Sequence, residues 1–359
     1  MSLMRLRLNF SLWFCFFLFA FSVYGAAFEL EKVVVGLSQP WSLSFKTAST
    51  ILITEKEGVV LIYDFETKQL KKINHNLSVL EDGQGGLMDV LYHEGYVYVS
   101  FSEDRGKGKS STSVGRALFN ERYLSFQVIF RAEPAINSGY HFGSRLVVKD
   151  NYLYVTAGER GAGMIAQNTQ KHPGSIIRIH LDGAIPVDNP RFIDKPDWLP
   201  ELYQIGVRNP QGMALSPYDN VIYISNHGAM GGDWFGRIEK GGNYGWKILG
   251  WGGKNYSGLP IGPKWKAGYT KPLKYWVPSI AVSAIAIYKG NAFSEWNGAA
   301  LITSLKDKSL RKIDFSDPNL IKEEIIFKNK IGRIRDIKIH PDSGNIFLLS
   351  DSGVLWQMN

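Results

Sequence analysis

The chain has 359 residues, 45% of them hydrophobic and 13% aromatic, with 37 glycines and a formal net charge of +8. That is material for a large core, and a closed all-β ring of this length can be one domain. The basic residues are scattered, no basic run exceeds two, and a nucleic-acid surface would need them clustered. The only cysteine is Cys15, which excludes an internal disulfide and a zinc–thiolate site.

At the N-terminus, Arg5 and Arg7 precede an apolar run from Phe10 to Val23 that ends in Gly25-Ala26-Ala27. A charged start, a run too short to span a bilayer and a small-residue end are the marks of a secretory leader. Residues 1–26 are therefore expected to be a signal peptide, cut near Ala26–Phe28, and residues 27–359 a single exported domain, periplasmic or secreted. No stable membrane insertion is expected after cleavage. Cys15 leaves with the leader, so the mature chain carries no thiol nucleophile.

Beyond Ala27 the apolar residues follow strand rather than helix spacing. Trp41–Phe45, Ile51–Thr54 and Val59–Tyr63 form a first unit of successive strands. Leu87–Tyr92 and Tyr96–Phe101 begin a second. Leu146–Val148, Tyr152–Ala157 and Ile176–Ile179 make a third, and Met213–Leu215 with Val221–Ser225 a fourth. Ala284–Tyr288, Ala300–Thr303 and Leu310–Ile313 give a fifth, and Ile334–Ile339, Ile346–Leu349 and Val354–Met358 a sixth. Unit starts lie roughly 45 to 72 residues apart, at or above the period of propeller blades. Six such units without crossover helices predict an all-β, six-bladed propeller, closed radially so that strand edges are protected. A β-sandwich would need fewer strands. Leu30–Val35 is expected to complete the last blade and fasten the ring. Residues 104–125, 159–174, 183–200 and 250–276 read as long loops, which in compact domains carry function.

Six polar motifs stand at the ends of these runs: Gly-Gln-Gly-Gly at 83–86, His-Phe-Gly-Ser-Arg at 141–145, Arg-Asn-Pro-Gln-Gly at 208–212, His-Gly-Ala-Met-Gly-Gly-Asp at 227–233, Ser-Leu-Lys at 304–306 and Arg-Ile-Arg-Asp at 333–336. Loop residues carried by rigid strands build sites, and six distant loops predict one shared pocket. His141 is the natural base, since histidine titrates near working pH untuned. Taken alone, it could equally be a satisfied core group. Arg333 and Arg335 alternate on a strand and so share a face, a geometry suited to gripping an anion. Gln84 lies in no phosphate loop, because the lysine and hydroxyl such a loop needs do not follow. The aspartates fit no EF-hand spacing, and neither Gly-X-Ser-X-Gly nor His-Glu-X-X-His occurs.

With Leu-Tyr-Val-Thr-Ala-Gly-Glu-Arg-Gly, Gly-Gly-Asn-Tyr-Gly-Trp and Trp-Val-Pro-Ser-Ile-Ala added, this ordered series resembles the soluble quinoprotein glucose/sorbosone dehydrogenase family, and within it the periplasmic aldose sugar dehydrogenases, over about residues 30–358. The resemblance implies a propeller that binds pyrroloquinoline quinone and Ca2+, and oxidises an aldose at C1 to the lactone. It implies an electron acceptor, respiratory or soluble. By resemblance His141 is the base, Arg208 polarises the quinone carbonyl, and Glu159 is the carboxylate beside the histidine. Gln84, Asn209, Tyr256, Ser304, Leu305, Lys306, Arg333, Ile334 and Arg335 fall at cofactor positions, as Arg208 also does. The backbone carbonyls of Gly228 and Ala229 fall at the calcium ligands.

Three residues depart from the family pattern. Glu159 stands in place of an aspartate, Ala229 in place of a proline, and Trp234 where a glutamate ligates a second, peripheral calcium. That second site is expected to be absent. Two alternatives stay open: a catalytically inactive propeller that binds a sugar or protein, and a calcium-dependent lactonase.

Overall fold

The computed structural model describes residues 28–359; the leader expected at 1–26 lies outside them. Runs rich in Val, Ile, Leu and Tyr bury both faces of the middle strands, and β-branched side chains suit that pleated surface. Among the described residues the regular structure is strand, with helix confined to 3₁₀ turns at Gly163–Gln167, Pro190–Phe192 and Ser294–Trp296.

The strands form the six blades expected. From the axis outward, blade 1 holds Pro40–Phe45, Thr50–Glu55, Val59–Asp64 and Gln69–His75, and blade 2 holds Leu87–His93, Tyr96–Asp104, Ser110–Leu118 and Gln127–Arg131. Blade 3 holds Gly143–Lys149, Tyr152–Ala157, Ser175–His180 and Leu202–Ile205, and blade 4 Pro210–Leu215, Ile222–Asn226, Asp233–Arg237 and Lys274–Trp276. Blade 5 holds Val282–Ile287, Ala300–Ser304, Ser309–Asp314 and Lys322–Lys328. Blade 6 takes Ile334–Ile339, Ile346–Ser350 and Val354–Met358 from the C-terminus and Leu30–Val35 from the N-terminus. Leu30 pairs with Met358 and Val35 with Val354, which fastens the ring as expected.

Two expected loops contain strands: 250–276 ends in Lys274–Trp276, the fourth strand of blade 4, and 104–125 is mostly strand. Residues 104–125 contain Ser110–Leu118, the third strand of blade 2. Its Ser111, Thr112 and Ser113 are small and polar yet buried. Ser113 Oγ donates to Glu103 and Thr112 Oγ1 to the Phe142 carbonyl, both at 2.8 Å. The 183–200 stretch leaves blade 3 after His180, which pairs with Tyr152 at the end of the blade opposite Gly143 and Ala157. It therefore starts on the face away from the site.

The core lies between blades rather than inside them. A separate apolar cluster fills each of the six junctions, such as Leu52, Val60, Val90 and Val99 between blades 1 and 2. At the axis the joining is polar. Arg145 Nη1 meets Asp89 at 3.2 Å and Asp336 at 2.9 Å, and its other nitrogens donate to the carbonyls of Gln211 (2.7 Å) and Arg335 (3.0 Å). Ser42 Oγ donates to both aspartates. Buried charges survive only when paired and fully hydrogen-bonded, and this group ties blades 1, 2, 3, 4 and 6 at one point.

Each innermost strand also slips register against its neighbour near its start: Pro40/Ser42, Leu87/Val90, Gly143/Leu146, Pro210/Gly212, Val282/Ile285 and Ile334/Asp336. Such bulges take carbonyls out of the ladder and re-aim the strand end. At five junctions a hydroxyl from the preceding blade, or from the first strand beside it, claims the freed carbonyl. Thr54 donates to Met88, Ser100 to Ser144, Thr156 to Pro210, Ser225 to Ser283, and Ser283 to Ile334, at 2.5–3.2 Å. The motifs at 83–86, 141–145, 208–212 and 333–336 sit on the strand ends so re-aimed, while those at 227–233 and 304–306 follow second strands.

Candidate active site

His141 stands at φ +50° just before the first strand of blade 3. Its backbone N–H donates to Gln84 Oε1 at 2.9 Å, and its carbonyl accepts from Arg160 N at 3.2 Å. The backbone passes so close to Gly158 that a Cβ there would lie 2.0 Å from the His141 carbonyl oxygen, so residue 158 must be glycine. Arg160 is buried beneath this loop. It donates to the carbonyls of Tyr140 (2.9 Å) and Ser110 (2.7 Å), and stacks on Phe142 at 3.6 Å. Burial brings its pKa down to about 10, so it stays charged as a fixed brace.

Glu159 Oε1 meets His141 Nδ1 at 2.5 Å, and the carboxylate also accepts the Gly163 N–H. The longer side chain in place of aspartate therefore reaches the ring. Burial alone would raise the Glu159 pKa, but the His141 bond, the Gly163 N–H and the Arg208 charge hold it below the usual carboxylate range. An ionised Glu159 takes a proton on Nδ1, which fixes the tautomer and leaves Nε2 as the lone-pair nitrogen. The His141 pKa is lowered, chiefly by burial and further by Arg208 and Arg160, against the raising effect of Glu159. The ring is neutral at neutral pH and ready to accept.

Beside this pair a cavity of about 520 Å³ opens at the top of the axis, within the range of small-molecule sites. Gln84, Asn209, Leu305, Arg333 and Arg335 line it, as do Gln211 and His227 from the motifs at 208–212 and 227–233, and Trp41, Lys56 and Asp351, which lie outside all six motifs. Arg208 is buried next to it, 5.3 Å over the Trp246 ring, with Nη1 3.5 Å from the His227 carbonyl. No carboxylate ion-pairs with Arg208 among the described residues. Arg333 and Arg335 do share a face, but both hold Asp351, at 2.7 and 3.0 Å. Asp351 is held below its ordinary pKa because the two arginines outweigh its burial. Lys306 is exposed beside Leu305 on the same turn.

Other expected site residues stand back from the cavity. The Ser304 side chain is buried against Ser309 (2.9 Å), and Ile334 is fully buried with its carbonyl taken by Ser283. Tyr256 is 75% exposed on the excursion of blade 4. Trp234 is buried and stacked on Tyr244, with ring centroids 3.9 Å apart.

The residues fit an anionic cofactor. Arg208 is a buried cation without a counter-ion, and the His227 Nε2 beside it is buried without a partner. Burial, with Arg208, His141 and Arg335 as neighbours, pushes the His227 pKa to about 3, so it faces the cavity neutral. They fit a hard cation more narrowly. Asp233 Oδ1 accepts Gly228 N at 2.7 Å and its Oδ2 accepts Ser279 Oγ and Ala281 N, which fixes the turn at 228–229. Among the described residues neither the Gly228 nor the Ala229 carbonyl accepts a hydrogen bond, and no three His, Cys, Asp or Glu side chains gather as a metal centre. An ion there would have two neutral protein ligands and would need the rest from an anionic companion.

The family model described as Glucose / Sorbosone dehydrogenase matches residues 37–357. An aldose sugar dehydrogenase of Escherichia coli is 34% identical over 340 residues, 91% of each chain. The apo-form crystal structure of the soluble aldose sugar dehydrogenase from Escherichia coli superposes with a TM-score of 0.87 at 32% identity, covering 93% of this chain and 99% of that one. Quinoprotein glucose dehydrogenase B of Acinetobacter calcoaceticus is 25% identical, over 90% of this chain and 86% of its own.

Proposed function

We propose, from the premise that this chain belongs to the glucose/sorbosone dehydrogenase family, that it oxidises an aldose at C1 to the lactone with pyrroloquinoline quinone and calcium. The family makes it an oxidoreductase acting on sugars; the cofactor, the metal and the residue roles are our reading. One observation carries that reading: a neutral histidine, held by a buried carboxylate and beside an unpaired arginine, stands next to a cationic cavity.

Lys306, Arg333 and Arg335 would hold the quinone's carboxylates, with Arg208, Gln84 and Asn209 beside its ring, and the carbonyls of Gly228 and Ala229 would hold the calcium. Bound there, the quinone would supply the two-electron acceptor for the hydride leaving C1. His141 takes the C1 hydroxyl proton on Nε2, and the resulting imidazolium is stabilised by Glu159. Such base catalysis is worth about 10²–10⁴-fold. Arg208 sets a preorganised positive charge where negative charge builds on oxygen. The lactonase alternative wants clustered carboxylates, which the described residues do not bring together. The leader expected at 1–26 would place the enzyme outside the cytoplasm.

Adding the quinone and calcium to apo-protein should produce dye reduction with glucose. It should also bind one calcium per chain, with little bound when the quinone is omitted. A reconstituted protein that reduces no dye with any aldose would favour the inactive sugar- or protein-binding propeller.

A further inference from the structure

Between residues 238 and 273 the chain leaves the third strand of blade 4 and returns to the fourth. The excursion carries six lysines, at 240, 247, 254, 264, 266 and 271, and one acid, Glu239. Lys240 pairs with Asp188. Lys247, Lys254, Lys264, Lys266 and Lys271 form no ion pair among the described residues, and all five are exposed. Five exposed lysines without an ion-pair partner among the described residues therefore fall within residues 247–271.

The excursion reaches the mouth of the candidate site. Met230 N donates to the Lys254 carbonyl at 3.0 Å, one residue from the proposed calcium turn. A Cβ on Gly163, whose N–H holds Glu159, would lie 3.1 Å from the Lys247 side chain. Apolar side chains stand open on the excursion and beside it: Leu259 at 67% and Trp265 at 48% within it, and Val277 at 55% and Met230 at 49% next to it. Single exposed apolar residues need no explanation, but a group of them beside a site opening marks an interaction surface.

We infer that this cationic and apolar surface docks an acidic, one-electron carrier protein, whose negative rim faces the lysines and whose redox group comes to the pocket mouth. The inference rests on the sugar-oxidising reading above. Oxidising C1–OH to the lactone releases two electrons and two protons. Two oxidised carriers take one electron each, and both protons pass to solvent. A carrier must leave after each electron, so the contact has to be small and weak, as electron-transfer encounters are. Opposed charge then supplies rate and orientation more than affinity. A membrane surface would also attract lysines and tryptophan, but pressing this face on a bilayer would cover the opening through which a polar sugar must exchange.

The test uses reconstituted protein with glucose and three acceptors: a small dye, an acidic cytochrome c and a basic cytochrome c of similar potential. At low salt the acidic cytochrome should be reduced at least about tenfold faster than the basic one, and its lead should shrink as salt screens the pair. Lys254→Glu/Lys264→Glu/Lys266→Glu should lose at least about tenfold in acidic-cytochrome reduction, with dye reduction and melting temperature unchanged. Leu259→Ser should lower it too, without changing the salt response. Dye reduction intact but no preference between cytochromes, or none lost in the triple variant, overturns the inference. So does lysine-dependent sedimentation with phosphatidylglycerol vesicles when cytochrome reduction ignores the triple variant. Failure of the wild type to reduce the dye would overturn the sugar-oxidising reading, and this inference with it.

Discussion

At the scale of single residues, the His141–Glu159 pair makes a signed prediction. His141 works as a base only when neutral, and burial together with Arg208 and Arg160 lowers its pKa. The acid limb of kcat/KM should therefore lie below pH 6.5, the ordinary histidine value, with activity present above it and lost as pH falls through it. Glu159→Gln removes the group that raises the His141 pKa, so the limb should move further toward acid while kcat drops at least about tenfold through loss of tautomer control. A limb that moves upward, or does not move, would contradict the pairing. His141 was legible as a titratable residue in a motif beside a strand, whereas Glu159 was legible only through the family resemblance. Asp351 was not, although its position could have been found. Ser350 pairs with Ile334 across the last blade, which sets residue 351 beside 333 and 335. The same place, just after a second strand, puts Lys56, His227 and Leu305 on the cavity wall. His227 and Leu305 fall inside two of the six motifs, whereas Lys56 and Asp351 hold the same position outside any of them.

At the scale of elements, the hydroxyls on the second strands decide whether the bulges are tolerated. Thr156 Oγ1 donates to the Pro210 carbonyl at 3.2 Å and accepts Arg145 N at 2.9 Å, and Ser100 makes the equivalent pair with the Ser144 carbonyl and Asp89 N. All of this is buried, where an unmet backbone group costs about 1–3 kcal/mol. Thr156→Val and Ser100→Ala, which keep most of the shape, should each lower unfolding free energy by about that amount in chemical denaturation, although neither faces the cavity. A loss below about 0.5 kcal/mol in both would show that water or relaxation supplies the missing partners. The middle strands were legible because burial on both faces leaves near-continuous apolar runs. The outer strands were not. Gln69–His75 and Lys322–Lys328 are largely exposed, so neither pattern nor composition separates them from loops. Ser110–Leu118 failed for the opposite reason, being buried while polar.

At the scale of the whole molecule, the ring is closed by pairing rather than by the chain. Leu30–Val35 is the outer strand of blade 6, yet it leads directly into blade 1, and its ladder with Val354–Met358 joins the two ends of the chain. Glu29 and Asn359 exchange backbone hydrogen bonds at 3.1 and 3.2 Å, so the start of the described chain lies beside its last residue. Val34 is buried at this junction with Leu37, Leu43 and Leu349, and Phe28 and Leu30 pack on the neighbouring cluster. A mature chain starting at residue 36 would lose several such side chains, each worth about 1.5–3 kcal/mol when fully buried, and would bare the edge of Val354–Met358. Its melting temperature should fall by at least about 10 °C, with aggregation through the new edge. A circular permutant separates the two causes. Joining Asn359 to Phe28 by a short linker, and opening the exposed turn at Asp317–Asn319, keeps every strand while making the closure covalent. That permutant should melt no lower than the parent and keep its quinone affinity. If the truncated chain melts with the parent, closure by the N-terminal strand contributes little and the inter-blade clusters alone hold the ring.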